Sequence, residues 1–283
     1  MVSETIRPVA DMHLHSSISD GLYSPSKLME ICAENNLKAV ALTDHESTDG
    51  ITEAQEAGKR LGIEVIPGVE IGAFFYGREI HLLGYFAAPD PRLEKMLSSL
   101  RNGRYERMAG MLALLSGKEI KINMGDIRKE ARKAAPSRLH LARALQKKGY
   151  VSTISEAFDR YIGRGKPAYI PRLTLKAEEA LSLLNRCHAV PVLAHPGITG
   201  ESDQSLFQLK KAGLKGVEVY HPEHTPGLTL FYKEWALREG LLISGGSDYH
   251  GDAKESCPFP GCAGVEYKWI EEIKKILNKA KLK

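Results

Sequence analysis

The chain has 283 residues, of which 43% are hydrophobic and 26% charged. This size suits one large α/β domain, or one domain that carries an insertion. No apolar run approaches the roughly 18–20 residues of a membrane span, and the first residues lack the apolar stretch of a secretory signal. We therefore expect a cytoplasmic protein that does not bind membranes.

The charge is unevenly distributed, although the net charge is only +4. Residues 91–170 contain 18 Lys and Arg against 7 Asp and Glu, a balance of +11, so the rest of the chain carries 4 − 11 = −7. This split predicts a basic segment that faces an anionic partner, beside an acidic body that could hold cations.

The four cysteines, Cys32, Cys187, Cys257 and Cys262, form no CxxC pair. A chain of this length does not need a disulfide framework, so we expect reduced thiols. Cys257 and Cys262 flank a Pro/Gly turn, and metal binding by this pair is the open alternative.

The first 90 residues alternate between predicted strands and helices. A helix is expected from Pro25 to about Asn35, because Ser24 is a suitable N-cap and proline suits the first helical position. A second helix is expected over 51–61. The predicted strands cover 9–13, 38–42, 63–71 with an interruption at Pro67-Gly68, and 80–86.

The middle segment, 91–168, has helical periodicity and few strand-like runs. The alternation then resumes, with helices over 176–187, 205–212, 228–239 and 268–279, and strands over 191–194, 216–220 and 241–244. Strands that alternate with helices predict βα units around parallel strands. We therefore predict an α/β barrel of about seven strands formed by 1–90 and 169–283, with 91–168 as a helical, basic insertion.

Metal-ligating residue types recur at or just after the ends of these strands. They are His13, His15, Asp20, Asp44, His45, Glu70, His81, His195, His221, Asp248 and His250. In barrels of βα units the carboxyl ends of the strands form the active-site face. A single such residue more often makes local hydrogen bonds, but their repetition at successive strand ends predicts a site for Zn, Mn or Fe.

The order of these motifs is specific as a set. It resembles the PHP (polymerase and histidinol phosphatase) family, and most closely the branch of the nucleoside 3',5'-bisphosphate phosphatase and its 5'-to-3' exoribonuclease relatives. The resemblance covers nearly the whole chain and rests on His13-Leu14-His15-Ser16, Asp20-Gly21, Thr43-Asp44-His45, Pro67-Gly68-Val69-Glu70, His81, Ala194-His195-Pro196 and Gly246-Ser247-Asp248-Tyr249-His250. It implies a distorted (β/α)7 barrel.

The resemblance also implies three divalent metal ions, Mn, Fe or Zn. Its motifs assign His13, His15, Glu70 and Asp248 to the first ion, Glu70, His81 and His195 to the second, and Asp20, His45 and His250 to the third. The catalytic role implied for Asp248 is that of a ligand, and Asp44 is expected to orient a neighbouring ligand.

The implied reaction is removal of the 3'-phosphate from a nucleoside 3',5'-bisphosphate, which gives a nucleoside 5'-monophosphate and phosphate. Metal ions would activate water for this reaction, so no Ser or Cys nucleophile is needed. The alternatives are a 5'-3' exonuclease on short RNA or DNA, a histidinol-phosphate-type phosphatase, and a non-catalytic metal-binding module.

Four further residues are candidates for contact with substrate. His221 either protonates the leaving group or positions substrate, or it is a hydrogen-bonded loop histidine. Arg138 lies in a segment that resembles a phosphate-binding segment of the bisphosphatase branch, and Arg164 and Lys166 follow in a loop. They either bind substrate phosphate or belong to a solvated basic face. The expected partner is a nucleotide or short oligonucleotide, with no stable protein partner.

Overall fold

The computed structural model describes residues 9–132, 134–171, 175–251 and 257–281. Its strands are β1 (Ala10–Leu14), β2 (Ala39–Leu42), β3 (Glu64–Phe75), β4 (Arg78–Tyr85), β5 (Leu175–Lys176), β6 (Val190–Leu193), β7 (Gly216–Tyr220) and β8 (Leu242–Gly245). Seven strands form one sheet in the order β1-β2-β3-β4-β6-β7-β8, and the short β5 pairs with β3.

Helices connect and cover these strands. They are α1 (Pro25–Glu34), α2 (Ile51–Leu61), α3 (Pro91–Ser116), α4 (Met124–Ala131), α5 (Arg138–Lys147), α6 (Ile154–Ala157), a π-helical turn (Phe158–Ile162), α7 (Ala177–Arg186), α8 (Pro196–Thr199), α9 (Asp203–Lys211), α10 (Pro226–Arg238) and α11 (Tyr267–Lys281). The predicted start of α1 is confirmed, since the Ser24 side chain accepts a hydrogen bond from Lys27 N and Pro25 is the first helical residue.

The predicted parallel arrangement does not extend to β4, which is antiparallel to both β3 and β6. Tyr76 and Gly77 connect β3 to β4, with φ of 42° and 80°. Two consecutive residues with positive φ form the tight turn typical of β-hairpins. A parallel return would need a connection of a dozen or more residues, so this short turn forces β4 to run antiparallel.

The predicted interruption of the third strand is also wrong. β3 continues through Pro67 and Gly68 as one 12-residue strand. Pro67 is the last residue that pairs with β2, and Gly68 is the first that pairs with β4. The strand can keep its proline because the proline lies where the hydrogen-bonding ladder changes partner.

The sheet closes into a barrel between β1 and the segment that follows β8. Asp248 N donates to His13 O at 3.0 Å, and His15 N donates to Tyr249 O at 3.1 Å. The approach is so close that a Cβ on Gly246 would lie 2.4 Å from the Cβ of His13. The predicted α/β class and distorted seven-stranded barrel are therefore confirmed.

The segment between β4 and β5 is helical in its described part, from α3 to the π-helical turn. It has an apolar cluster of its own, in which Met111, Leu115 and Leu141 are fully buried. The first half of α3 instead packs into the barrel core through residues such as Leu97. The division at residues 91 and 168 stays a prediction.

The cysteines differ from the expectation. Cys257 and Cys262 are joined in a disulfide, whereas Cys32 and Cys187 are free and buried. The expected reduced pair, and its alternative as a metal site, are thus wrong for Cys257 and Cys262. Among the described helices, none has the length and apolar character needed to cross a membrane.

Candidate metal centre

Three groups of His, Asp and Glu side chains lie together at one end of the barrel. In each group the potential ligand atoms lie within 4.8 Å of one another. Cluster 1 contains His13, His15, Glu70 and Asp248, cluster 2 contains Glu70, His81 and His195, and cluster 3 contains His15, Asp20, His45 and His250.

Glu70 joins clusters 1 and 2 through its two carboxylate oxygens. Its Oε2 lies 3.3 Å from His13 Nε2 and 3.2 Å from His15 Nε2. Its Oε1 lies 2.7 Å from His81 Nδ1 and 3.3 Å from His195 Nε2. One buried carboxylate therefore faces two potential cation positions.

The β3–β4 hairpin explains how Glu70 and His81 meet. Glu70 is paired with Leu83, and His81 lies two residues from Leu83 on the same strand. Side chains two residues apart on a strand point to the same face of the sheet, so His81 shares a face with Glu70. His81 thus joins the clusters from the middle of an antiparallel strand and not from a strand end.

Two cluster residues with left-handed backbone conformations lie two and three residues after the ends of β6 and β8. His195 has φ 29° and Asp248 has φ 50°. Residues other than glycine adopt such values rarely and at a cost of order 1–3 kcal/mol, usually at functional sites. In both loops this conformation accompanies a side chain that joins a cluster.

The clusters leave buried polar atoms without hydrogen bonds, as a cation site would. Among the described residues these atoms are His13 Nε2, His15 Nε2, Asp20 Oδ1, His45 Nδ1, Glu70 Oε2 and His195 Nδ1. Unpaired buried polar groups are costly unless a ligand or ion compensates for them. Imidazole and carboxylate donors at this density fit borderline and hard divalent cations such as Zn²⁺ and Mn²⁺.

Local charges keep the carboxylates ionised. Burial alone would raise the pKa of Glu70, but the charges of His45, His81 and His13 outweigh it and hold this pKa well below its usual range. An ionised carboxylate is the state that binds a cation.

Asp44, which was expected to orient a ligand, lies behind cluster 3. It accepts hydrogen bonds from Ser16 N at 2.7 Å, Ser16 Oγ at 2.6 Å and Ser19 Oγ at 2.6 Å. Ser19 Oγ in turn lies 3.5 Å from His15 Nδ1. Asp44 therefore connects to His15, a residue of clusters 1 and 3, through the hydroxyl group of Ser19.

Two buried carboxylates in contact with the site were missed. Asp11 accepts hydrogen bonds from His13 N, Ser247 N and Gly261 N, and so ties the closing edges of the barrel together. Glu218 on β7 contacts the ring of His13 and the backbone of His195. The available signal was a charged residue inside each buried strand, because such strands are normally apolar on both faces.

His221 is buried beside cluster 2, with its ring centroid 5.5 Å from that of His195. Its Nδ1 accepts a hydrogen bond from Glu223 N, as expected for a hydrogen-bonded loop histidine. Burial lowers its pKa to about 4, so the ring is neutral near pH 7. Its role, as a proton donor, as a residue that positions substrate or as a hydrogen-bonded loop histidine, stays a prediction.

A cavity of about 1090 Å³ extends from the clusters into the helical segment. Its wall includes Arg104, Arg107 and Arg138, and apolar side chains that include Met108 and Phe158. Arg164 and Lys166 are not part of the wall, and Arg164 donates a hydrogen bond to Gly77 O. The structure thus brings Arg138 to the cavity together with two arginines that were not predicted.

Three His/carboxylate clusters beside an arginine-lined cavity define a metal-dependent phosphoesterase, since cations and arginines together neutralise a phosphate ester. The chain belongs to the PHP domain family, whose profile matches residues 11–216. The family resemblance of the motifs is therefore confirmed, and the protein is a hydrolase of phosphate esters.

Curated relatives and a solved structure agree with this class. The chain is 33% identical to a 5'-3' exoribonuclease of Haemophilus influenzae over 85% of this chain and 89% of the relative. It is 32% identical to a 3',5'-nucleoside bisphosphate phosphatase of Chromobacterium violaceum over 93% and 92%. A Bifidobacterium adolescentis protein described as a candidate metal-dependent phosphoesterase superimposes with a TM-score of 0.88 at 29% identity, covering 94% of this chain and 96% of that one.

Proposed function

We propose that this protein hydrolyses the 3'-phosphate of nucleoside 3',5'-bisphosphates and releases a nucleoside 5'-monophosphate and phosphate. The observation that carries the proposal is the cavity, which is lined by residues of the clusters and by Arg104, Arg107 and Arg138. One phosphate would lie at the clusters and a second at the arginines. A relative of 32% identity carries this activity in its name.

The ligand assignment follows the three clusters. Cluster 1 would hold one divalent ion and cluster 2 a second, with Glu70 as the shared carboxylate. Cluster 3 would hold a third through Asp20, His45 and His250, and His15 could serve cluster 1 or cluster 3. The ions, Mn, Fe or Zn, would neutralise the phosphoryl group, lower the pKa of water and stabilise the leaving oxygen.

The residues of the chain would orient the substrate. Arg138 and Arg107 both lie over the ring of Tyr169, 5.7 Å from its centroid, so their guanidinium groups are neighbours. Arginine suits bidentate contacts to phosphate oxygens. The apolar wall near Phe158 leaves room for a nucleoside between the two phosphates, which a small amino-alcohol phosphate would not fill. This favours a nucleotide over histidinol phosphate.

The test is phosphate release from adenosine 3',5'-bisphosphate with added Mn²⁺. We expect turnover by the wild type and a loss of at least about 1000-fold in Asp248→Asn, since several kcal/mol of metal stabilisation would be lost. Adenosine 5'-monophosphate, which lacks the 3'-phosphate, should not react. No phosphate release by folded, metal-loaded wild type would refute the proposed substrate.

The product separates this proposal from its exonuclease alternative. A 5'-phosphorylated RNA trimer would yield nucleoside 5'-monophosphates, and no inorganic phosphate, if the same site cleaved chains from the 5' end. Turnover of the trimer without turnover of the bisphosphate would favour the alternative. An Asp248→Asn variant without effect on either substrate would instead point to a contaminating activity.

A further inference from the structure

We propose that Glu218 is a positioning residue that fixes the tautomer of His13 and the backbone conformation of His195, and thereby orients two residues of the metal centre. The inference rests on the proposed ligand roles of these two histidines. Glu218 lies on β7, is fully buried, and belongs to none of the three clusters.

The first contact is with the ring of His13. Glu218 Oε1 and Oε2 lie 3.1 and 3.2 Å from His13 Nδ1. The other ring nitrogen, Nε2, faces Glu70 at 3.3 Å and Asp248 at 3.5 Å in cluster 1. A carboxylate only accepts hydrogen bonds, so His13 Nδ1 must carry the proton, which leaves the lone pair of Nε2 free for a cation.

The second contact is with the backbone after β6. His195 N donates to Glu218 Oε2 at 2.7 Å. His195 has φ 29°, a conformation that needs support from its surroundings. The same carboxylate therefore holds a residue of cluster 1 and a residue of cluster 2, and both contacts require an acceptor oxygen.

Glutamine at this position would offer one acceptor oxygen in place of two. The backbone N–H of His195 cannot change its role, so it would take the single amide oxygen. The amide NH₂ would then face His13 Nδ1 as a donor, and this favours the tautomer with the proton on Nε2. That proton would block the nitrogen that faces cluster 1.

The test counts metal ions and needs no substrate. Glu218→Gln and wild type are loaded with Zn²⁺, and bound zinc is measured after dialysis and by competition with a chelator. We expect Glu218→Gln to bind one zinc ion per chain 10- to 100-fold more weakly than wild type, the usual effect of removing a carboxylate behind a metal-bound histidine. Glu201→Gln is the matched control, since Glu201 is also buried but contacts Arg78 outside the clusters.

Wild-type zinc content and affinity in folded Glu218→Gln would overturn the inference, and so would an equal loss in Glu201→Gln. If Glu218→Gln does not fold, the imidazole ¹⁵N shifts of His13 in zinc-loaded wild type decide. A proton on Nδ1 supports the inference, and a proton on Nε2 overturns it. Failure of the proposed function is separate, because it appears as a lack of bisphosphate turnover in wild type that binds zinc normally.

Discussion

Arg138 occupies a position where an anion would relieve repulsion between cations. Its half-buried guanidinium lies over Phe158 and Tyr169, and it shares the ring of Tyr169 with Arg107. Burial and the nearby charge of Arg138 lower the pKa of Arg107 to about 10. The carboxylate of Glu79 offsets part of this positive charge. A phosphate bound beside the two arginines would offset more of it, which supports substrate contact over a solvated basic face.

We predict that Arg138→Met raises the KM for adenosine 3',5'-bisphosphate about 10- to 100-fold. This factor corresponds to the free energy of one hydrogen bond to a charged group. The kcat at saturating substrate should change little, because the reacting phosphate would lie at the three clusters and not at Arg138. Steady-state kinetics would measure both constants. Arg128→Met on the exposed face of α4 is the matched control and should leave KM unchanged.

A substrate with a single phosphate tests whether the effect of Arg138→Met depends on a second phosphate. p-Nitrophenyl phosphate has one phosphate and no second anion to contact Arg138. The Arg138→Met variant should therefore hydrolyse it as the wild type does. An equal loss on both substrates would contradict a specific phosphate contact and would indicate general damage to the cavity.

The proposed ligand residues could be found from sequence because each is a metal-ligating type in a recurring position. Glu218 does not follow this rule, because it lies in the middle of β7 and not at the end of the strand. The proposed role of Glu218 depends on its contact with His13, which lies 205 residues away in the chain. Only the closed barrel brings these two residues together.

At the level of elements, the strands were predicted correctly where strands and helices alternate. For example, β7 was predicted over the residues that form it in the structure. The direction of β4 was missed because the signal, Tyr76-Gly77, lies in a short turn between two apolar runs. The disulfide of Cys257 and Cys262 was not predicted, because the sequence spacing of two cysteines does not show whether their thiols are oxidised.

Helix α5 begins with a reciprocal cap that depends on a neutral histidine. His140 N donates to Ser137 Oγ, and Ser137 N donates to His140 Nδ1. Burial lowers the pKa of His140 from 6.5 to about 4. As the pH falls, the unfolded chain therefore takes up this proton first, so the stabilisation present above pH 6.5 is lost as the pH falls towards 4.

We predict that His140→Gln removes this pH dependence. Glutamine can make the same reciprocal cap but does not titrate. Between pH 7 and pH 5 the metal-free wild type should lose about 2 kcal/mol more unfolding free energy than the variant. Urea unfolding at both pH values would measure the difference. Parallel losses in both proteins would show that His140 is not the titrating group.

At the scale of the whole molecule, the two charge regions of the sequence meet at one cavity. The helical segment carries the positive excess and contributes Arg104, Arg107 and Arg138 to the cavity wall. The barrel carries the negative excess and contributes carboxylates of the clusters, such as Glu70 and Asp248. The uneven distribution of charge thus fits the proposed separation of phosphate contacts from cation contacts around one cavity.

The clusters also connect parts of the barrel that are distant in sequence. Cluster 1 alone draws residues from β1, β3 and the segment after β8. Without bound cations, these residues keep buried donors and acceptors that lack hydrogen bonds. Any cation that binds the folded chain and not the unfolded chain therefore stabilises the whole barrel.

We predict that removal of metal by a chelator lowers the melting temperature by at least about 5 °C. One site occupied at 100 times its Kd contributes about 2.7 kcal/mol, and 1 kcal/mol corresponds to roughly 2 °C for a chain of this size. Differential scanning calorimetry with and without chelator would measure the shift, and added Mn²⁺ should reverse it. An Asp248→Asn variant should show a smaller shift, because it would already have lost one ion. An unchanged melting temperature after verified metal removal would mean that the clusters do not couple cation binding to folding.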